Sequence, residues 1–222
     1  MKILDLGIKG YTETLGIQNE VLSRRIKQKE DDTLIVVEHY PVVTSGRSRP
    51  GDNNIDLLFF RKNNIPIVTS SRGGGATFHA PGQLVLYPII DLSRVKKSVS
   101  IYIDLLERSV SLGLNKLGVP AGRIPGKRGV WLEDRKIAFT GVGVKKWVTY
   151  HGVSVNINND ISPFSHMYPC GEKEIIVTSV KAWSKQEMDM RVVKNILVEQ
   201  FLESFSLEYC GPCEVGSGAS LD

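Results

Sequence analysis

A cysteine in a predicted turn is the first candidate for chemistry in this chain. Cys170 lies in the segment Tyr-Pro-Cys-Gly at 168–171, where proline and glycine favour a turn over a buried periodic element. A cysteine attacks a carbonyl only as its thiolate, so it needs a nearby cation or base. Five side chains could be that partner, and a purely structural cysteine stays the other interpretation. They are Lys136, His39, His79, His151 and His166.

A glycine-rich segment is the second candidate site. Residues 72–79 read Arg-Gly-Gly-Gly-Ala-Thr-Phe-His and are followed by Ala-Pro-Gly-Gln. Three successive glycines allow a backbone to approach a ligand closely, and the flanking Arg72 and His79 can recognise a carbonyl, carboxylate or phosphate. The spacing is not that of a P-loop or of a dinucleotide fingerprint, so the segment predicts no nucleotide. It predicts either a binding loop or a glycine-rich hairpin around a core histidine.

Helix and strand patterns alternate around these segments. Apolar residues recur every three or four positions over 11–28, which predicts an amphipathic helix. Helices are also predicted at 56–64, 100–117 and 188–205. Strands are predicted at 3–6, 34–38, 42–44, 65–70, 76–79, 83–91, 129–133, 136–144 and 147–155, with Asp134-Arg135 as a hairpin turn. This order predicts a single α+β domain with a mixed β-sheet and flanking helices.

Composition excludes several classes of protein. With 41% apolar and 23% charged residues, the chain is neither collagen-like nor disordered. At 222 residues it can fold around a single hydrophobic core. No apolar run approaches the roughly 20 residues that cross a bilayer, and the N-terminus has no signal-peptide pattern. The net charge is only +4, far below that of a protein with the basic surface stripe of a nucleic-acid binder. We therefore expect a cytoplasmic chain with neither a membrane nor a nucleic-acid partner.

Three further features carry weaker signals. Cys210 and Cys213 form a Cys-x-x-Cys pair, but structural zinc usually takes four ligands and no second pair follows, so no metal is predicted. The last residues, Gly-Ser-Gly-Ala-Ser-Leu-Asp, cannot bury surface, which predicts a domain over 1–205 and a flexible tail over 206–222. Three basic pairs are candidates for attracting an acidic partner, or are ordinary solvated charges. These pairs are Lys96-Lys97, Lys127-Arg128 and Lys145-Lys146.

Six short motifs in order resemble the lipoyl(octanoyl) transferase family. They are Glu-His-Tyr-Pro-Val at 38–42, the 72–83 segment followed by Tyr-Pro-Ile at 87–89, Arg-Lys-Ile-Ala at 135–138, His151-Gly152, Pro-Cys-Gly at 169–171 and Val-Thr-Ser at 177–179. The resemblance covers about residues 1–205. It implies the fold shared by lipoate and biotin protein ligases, with an acyl chain in a central tunnel.

The resemblance also implies a reaction and its partners. An octanoyl or lipoyl group would pass from acyl carrier protein to a specific lysine of lipoyl domains in 2-oxoacid dehydrogenases, or of the glycine-cleavage H protein. Cys170 corresponds to the acyl-thioester cysteine, and Lys136 to the lysine that stabilises its thiolate. No cofactor or metal is expected, because the thioester is already activated. The substrate-binding residues implied are Arg72, Gly73, Gly74, Gly75, Ala76, Thr77, Phe78, His79, Phe139, Thr140, Gly141, Gly152, Val153 and Ser154.

Departures from the family pattern bear on the acyl chain. Ala80 stands where the family usually has glycine, and Phe139-Thr140 replaces smaller residues before Gly141, so the preferred chain length is not implied. The alternatives are an ATP-dependent lipoate or biotin ligase and a lipoyl amidotransferase of the same fold. A non-catalytic acyl-binding or protein-binding module is a third.

Overall fold

The computed structural model describes residues 1–47, 55–94, 97–171 and 174–205. Lys96, the predicted tail at 206–222 and its two cysteines lie outside these residues.

A seven-stranded mixed sheet is the central element, and it has the strand order β1-β2-β6-β10-β9-β8-β7. Only β1 and β2 run parallel within it, and every other neighbouring pair is antiparallel. The strands are β1 (Lys2–Lys9), β2 (Thr33–His39), β6 (Gln83–Ile89), β7 (Ala121–Gly122), β8 (Val130–Leu132), β9 (Arg135–Lys145) and β10 (Val148–Asn156).

A second, three-stranded sheet packs beside the first. Its order is β4-β3-β5, with strands β3 (Val42–Ser45), β4 (Ile67–Thr69) and β5 (Ala76–His79). Strand β5 is the second half of the glycine-rich segment and pairs antiparallel with β3. The sequence patterns predicted these strands but not their separation into a sheet of their own.

Helices cover both faces of the large sheet. They are α1 (Tyr11–Ile26), α2 (Leu57–Lys62), α3 (Val99–Lys116), α4 (Val180–Ser184) and α5 (Met190–Phe205). Strands β2 and β6 each contain an unbroken apolar run, at 34–37 and 84–89, because successive side chains enter different cores. Leu34, Val36, Leu84 and Leu86 face α3 and α5, whereas Ile35, Val37, Val85 and Tyr87 face α1.

Side chains cap the N-termini of two helices. The Ser98 hydroxyl accepts a hydrogen bond from the amide of Ile101 at the start of α3, and the Asp56 carboxylate accepts one from Phe59 at the start of α2. The predicted helices at 56–64, 100–117 and 188–205 are confirmed to within two residues at every end. The predicted hairpin turn at Asp134-Arg135 is displaced by one residue, because β8 ends at Leu132 and Arg135 already belongs to β9.

A third core joins the two sheets. Phe139 of β9 packs with Phe78 of β5 and with Phe164, and the Phe139 and Phe164 rings stack at 5.1 Å. The glycine-rich segment and the Cys170 turn are thereby held between the two sheets, which is where the candidate site lies. No helix within the described ranges is long and apolar enough to cross a membrane.

Candidate active site

Cys170 and Lys136 are in contact. The Nζ atom of Lys136 lies 3.5 Å from the Sγ atom of Cys170. Cys170 is half-buried, more enclosed than its turn sequence suggests, and has φ 59° in the 3-10 turn Pro169–Gly171. Of the five candidate partners, the structure therefore brings Lys136 to the sulfur.

Backbone pairing after the cysteine turn holds this contact. The amide of Lys136 donates to the carbonyl of Ile176 at 2.8 Å, and the amide of Thr178 donates to the carbonyl of Lys136 at 3.0 Å. The side-chain amide of Asn156 then donates to the carbonyl of Thr178 at 3.0 Å. The segment that follows Cys170 is in this way attached to β9 and β10, so the large sheet positions both members of the pair.

The Lys136 side chain is enclosed by aromatic rings. It is 3% exposed, with Nζ 5.4 Å from the Trp131 ring centroid and 5.2 Å from that of Phe139. Both contacts favour an ammonium, because aromatic faces carry partial negative charge. Within the described part of the chain no carboxylate lies at ion-pair distance from Nζ. The Cys170 sulfur, 3.5 Å from Nζ, is the group in contact with this side chain that can carry a negative charge.

The glycine-rich loop lies directly against the cysteine turn. A Cβ atom on Gly75 would be 2.8 Å from the carbonyl carbon of Cys170 and 3.0 Å from the amide nitrogen of Gly171. Only glycine permits this approach. Two amides that could have stabilised an oxyanion are already engaged, since Gly73 donates to Val142 and Gly171 donates to Tyr168.

Arg72 braces the small sheet. Its Nη2 donates to the carbonyl of Thr44 at 2.6 Å and, with Nε, to the Thr44 hydroxyl, while Nη1 donates to the carbonyl of Gly73 at 3.1 Å. Burial lowers the pKa of Arg72, yet a guanidinium stays charged at neutral pH. All three of its nitrogens are therefore committed to the protein.

His79 continues the same network as a neutral side chain. Gln83 donates through Nε2 to Phe78 and Asn156, so its oxygen accepts the hydrogen bond from Nδ1 of His79 at 2.7 Å. Nε2 then accepts from the Thr44 hydroxyl at 3.3 Å. Burial, with the nearby His39, lowers the pKa of His79 well below its usual value. Both ring nitrogens are occupied, which favours a bracing role over the alternative of a base.

The remaining histidines also have partners other than Cys170. His39 donates from Nδ1 to the Lys9 carbonyl and accepts from the Tyr87 hydroxyl, and burial lowers its pKa to about 4. His151 contacts the Ser71 hydroxyl through Nε2, and burial together with the Arg72 charge lowers its pKa to about 4. His166 contacts Asp56 at 3.2 Å on the surface.

Two cavities meet at Cys170. The inner cavity lies between the sheets, and the outer cleft opens beside Lys136. Gly74, Thr140, Gly141 and Cys170 line both. Of the other residues that the family resemblance implied, these line the inner cavity: Arg72, Ala76, Thr77, His79, Phe139, Gly152, Val153 and Ser154.

Three implied substrate-binding residues lie elsewhere. Gly73 lines the outer cleft, Phe78 packs in the third core, and Gly75 supports the cysteine turn without lining either cavity. Four further residues line the inner cavity but were not among the implied substrate-binding residues, namely Tyr11, Val85, Tyr87 and His151. Three of them belong to periodic patterns of α1 and β6, and nothing in those patterns distinguishes a cavity wall from a core position. Within the described residues no group of three or more His, Cys, Asp or Glu side chains is arranged to hold a metal.

Comparisons with known proteins agree with this architecture. The family model described as the lipoyl protein ligase A/B catalytic domain matches residues 10–202. An octanoyltransferase of Thermoanaerobacter sp. (strain X514) is 38% identical over 209 residues, covering 94% of this chain and 91% of that protein. An octanoyltransferase of Geobacter sp. (strain M21) is 36% identical over 197 residues, covering 89% and 93%.

Solved structures share the fold at low sequence identity. A lipoate-protein ligase A bound with ATP has a TM-score of 0.75 at 18% identity, covering 94% of this chain and 86% of its own. A biotin protein ligase from Aquifex aeolicus, in complex with biotin and ATP, has a TM-score of 0.56 at 12% identity, covering 92% and 70%. The predicted lipoate and biotin ligase fold is confirmed.

Proposed function

Because the chain belongs to the octanoyltransferase family and is an acyltransferase of protein lipoylation, we propose that it acts through an acyl-thioester on Cys170. The donor is octanoyl acyl carrier protein, and lipoyl is a second acyl group. The acceptor is a lysine of a lipoyl domain, from a 2-oxoacid dehydrogenase or the glycine-cleavage H protein. One observation carries the proposal: the 3.5 Å contact of Lys136 Nζ with Cys170 Sγ where the two cavities meet.

The first half-reaction forms the acyl-enzyme. The Cys170 thiolate attacks the thioester carbonyl, and the bond between that carbon and the donor sulfur breaks. Lys136 gives one proton to the departing thiolate and becomes neutral. The acyl chain enters the inner cavity, whose wall includes the apolar residues Val153, Phe139 and Ala76.

The second half-reaction forms the amide. Neutral Lys136 accepts a proton from the incoming lysine ammonium, and the resulting amine attacks the Cys170 thioester. The carbon–sulfur bond breaks, the second proton of the amine leaves to solvent, and Cys170 returns as a thiolate beside the Lys136 ammonium. Neither ATP nor a metal enters, because the thioester already carries an activated acyl group.

Intact mass spectrometry tests the covalent step. We expect one octanoyl adduct when the full chain is mixed with octanoyl acyl carrier protein, and we expect hydroxylamine to release it. The adduct should be absent from Cys170→Ser and should form at least tenfold more slowly in Lys136→Met. A Cys210→Ser/Cys213→Ser variant is the matched control and should acquire the adduct like the parent.

The opposite result would identify the ligase alternative. If no adduct forms, and octanoyl transfer to a lipoyl domain requires added ATP, the chain activates a free acid as an adenylate. Transfer from another lipoylated protein, without use of acyl carrier protein, would instead identify an amidotransferase.

A further inference from the structure

The outer cleft differs chemically from the inner cavity. Beyond the residues shared at Cys170, its wall consists of the 126–128 segment, Trp131, Lys136, Ile103, Gly73 and Val142. The inner cavity has a single permanent cation, Arg72, whose three nitrogens are all bonded to Thr44 and Gly73. The outer cleft is lined by three cations, Lys127, Arg128 and Lys136, so an anionic group that approaches Cys170 meets more positive charge on the outer side.

Ion pairing singles out Lys127 within this wall. Arg128 pairs with Asp104 at 3.3 Å, and Arg123 pairs with both Asp104 and the buried Glu107. Across the described ranges, Lys127 has no carboxylate within ion-pair distance, and its Nζ lies 5.1 Å from the Trp131 ring centroid. Lys127 is thus a cation held at the cleft with its charge uncompensated.

Trp131 supplies a second, independent observation. It is 5% exposed, and its indole Nε1–H has no acceptor among the described residues. A buried donor without an acceptor costs about 1–3 kcal/mol, and such groups are normally satisfied by a ligand or an ordered water. The same ring contacts Lys127 and Lys136, and Trp131 lines the outer cleft, so this residue lies between Lys127 and the Cys170 contact.

Two groups extend from the reacting carbonyl carbon of a thioester donor: the acyl chain and the leaving arm, which is the sulfur with the group attached to it. When Cys170 attacks the carbonyl, the acyl chain and the leaving sulfur must extend in different directions from the same carbon. The inner cavity takes the apolar acyl chain, so the leaving arm enters the outer cleft. In an acyl carrier protein this arm is 4′-phosphopantetheine, which has amide carbonyls along its length and an anionic phosphate at its end.

We propose that the outer cleft is the subsite for this phosphopantetheine arm. Lys127 binds the phosphate, and the Trp131 Nε1–H donates to an amide carbonyl of the arm. The inference rests on the proposed function, because it takes the acyl carrier thioester as the donor. It assigns the recognition of the donor to a loop and a strand that contact neither the acyl chain nor the acceptor lysine.

Two small donors that differ only by the phosphate provide the test. Acylation of the full chain by octanoyl-4′-phosphopantetheine and by octanoyl-pantetheine is followed by intact mass spectrometry over a range of donor concentrations. We expect the phosphorylated donor to have a second-order rate constant about fivefold higher or more. Lys127→Met keeps the side-chain stem on Trp131 and should bring this ratio close to one. Lys29→Met, an exposed lysine between α1 and β2, is the matched control and should keep the parental ratio.

A second variant separates the two contacts. Trp131→Phe keeps an aromatic ring under both lysines and removes only the N–H donor, so it should slow both donors about threefold to tenfold without changing their ratio. Equal use of the two donors by the parent chain would overturn the subsite while leaving the proposed function intact. Absence of an adduct from these donors and from acyl carrier protein would overturn the proposed function and the subsite together.

Discussion

Gly129 lies against the side chain of Lys136 so closely that no other residue fits. A Cβ atom on Gly129 would be 2.6 Å from Cε of Lys136 and 2.4 Å from the carbonyl oxygen of Ala138. The buried Glu107 accepts a hydrogen bond of 2.7 Å from the Gly129 amide, which fixes the backbone at φ 94°. The position of Nζ beside Cys170 therefore depends on a glycine and a carboxylate that do not touch the sulfur.

Gly129→Ala should displace the Lys136 ammonium from Cys170. We expect octanoyl adduct formation to slow at least tenfold and the free energy of unfolding to fall by about 1–2 kcal/mol, because alanine is strained at positive φ. Gly118→Ala is the matched control: its φ is 79° and its Cβ would meet nothing within 4 Å. It should lose similar stability and keep its acylation rate. Equal rates for the two variants would contradict the role of Gly129.

Gly75→Ala should disturb the cysteine turn from the opposite side. The added methyl would meet the backbone of Cys170 and Gly171 at 2.8–3.0 Å, and a backbone cannot move aside as a flexible side chain can. We expect a loss of acylation of tenfold or more. In the same loop, Gly73→Ala would meet only the Val142 carbonyl, at 3.4 Å, so a smaller loss is expected. Rates measured by intact mass spectrometry that fall equally for both variants would argue against a specific contact at Gly75.

Local sequence patterns predict the elements of this protein better than its contacts. The 3.6-residue period places both ends of α3 within one residue, and β5 is predicted at its observed bounds. The same patterns leave five possible partners for Cys170, because Lys136 is 34 residues away and only the pairing of β9 with the 176–178 segment brings it close. The family resemblance, not periodicity, identified that pair.

One physical reason explains why the sequence did not place several residues at the site. Tyr11 and Tyr87 fall on the apolar stripe of a helix and in an apolar strand, so they resemble core positions, yet the cavity lies where these elements meet. Trp131 shows no motif, and Lys127 stands out in the sequence only as part of the basic pair Lys127-Arg128. Their position beside the Lys136–Cys170 contact arises from the packing of β8 and the preceding loop against β9, which is a tertiary arrangement without a local signal.

Buried neutral histidines should make stability depend on pH. In the unfolded chain the pKa of histidine is near 6.5, whereas that of His39 is about 4 in the fold. Between these values the unfolded chain binds more protons, so the free energy of unfolding falls as the pH decreases from about 6.5 towards 4. His39 alone would contribute a loss on the order of 2 kcal/mol at pH 5.

Urea unfolding of His39→Gln at pH 7.0 and 5.0 measures this contribution. Glutamine can donate to the Lys9 carbonyl and accept from Tyr87 without titrating, so the difference in stability between the two pH values should shrink by that amount. Tyr87→Phe removes a hydrogen bond but leaves the buried imidazole in place, so its loss of stability should be similar at both pH values. An unchanged pH dependence in His39→Gln would show that another group controls acid stability.

Phe139 should limit the length of the acyl chain. Its ring lines the inner cavity beside Cys170 and stacks on Phe164, which packs behind it without lining the cavity. Phe139→Leu shortens the wall, so we expect the rate of acylation by dodecanoyl relative to octanoyl acyl carrier protein to rise about tenfold. Phe164→Leu is the matched control, because it removes the same stacking contact behind the wall and should keep the parental ratio. Both variants should lose stability by an amount on the order of 1–3 kcal/mol, seen as a lower melting temperature. If both change the ratio equally, chain length is controlled by the third core as a whole and not by the Phe139 ring.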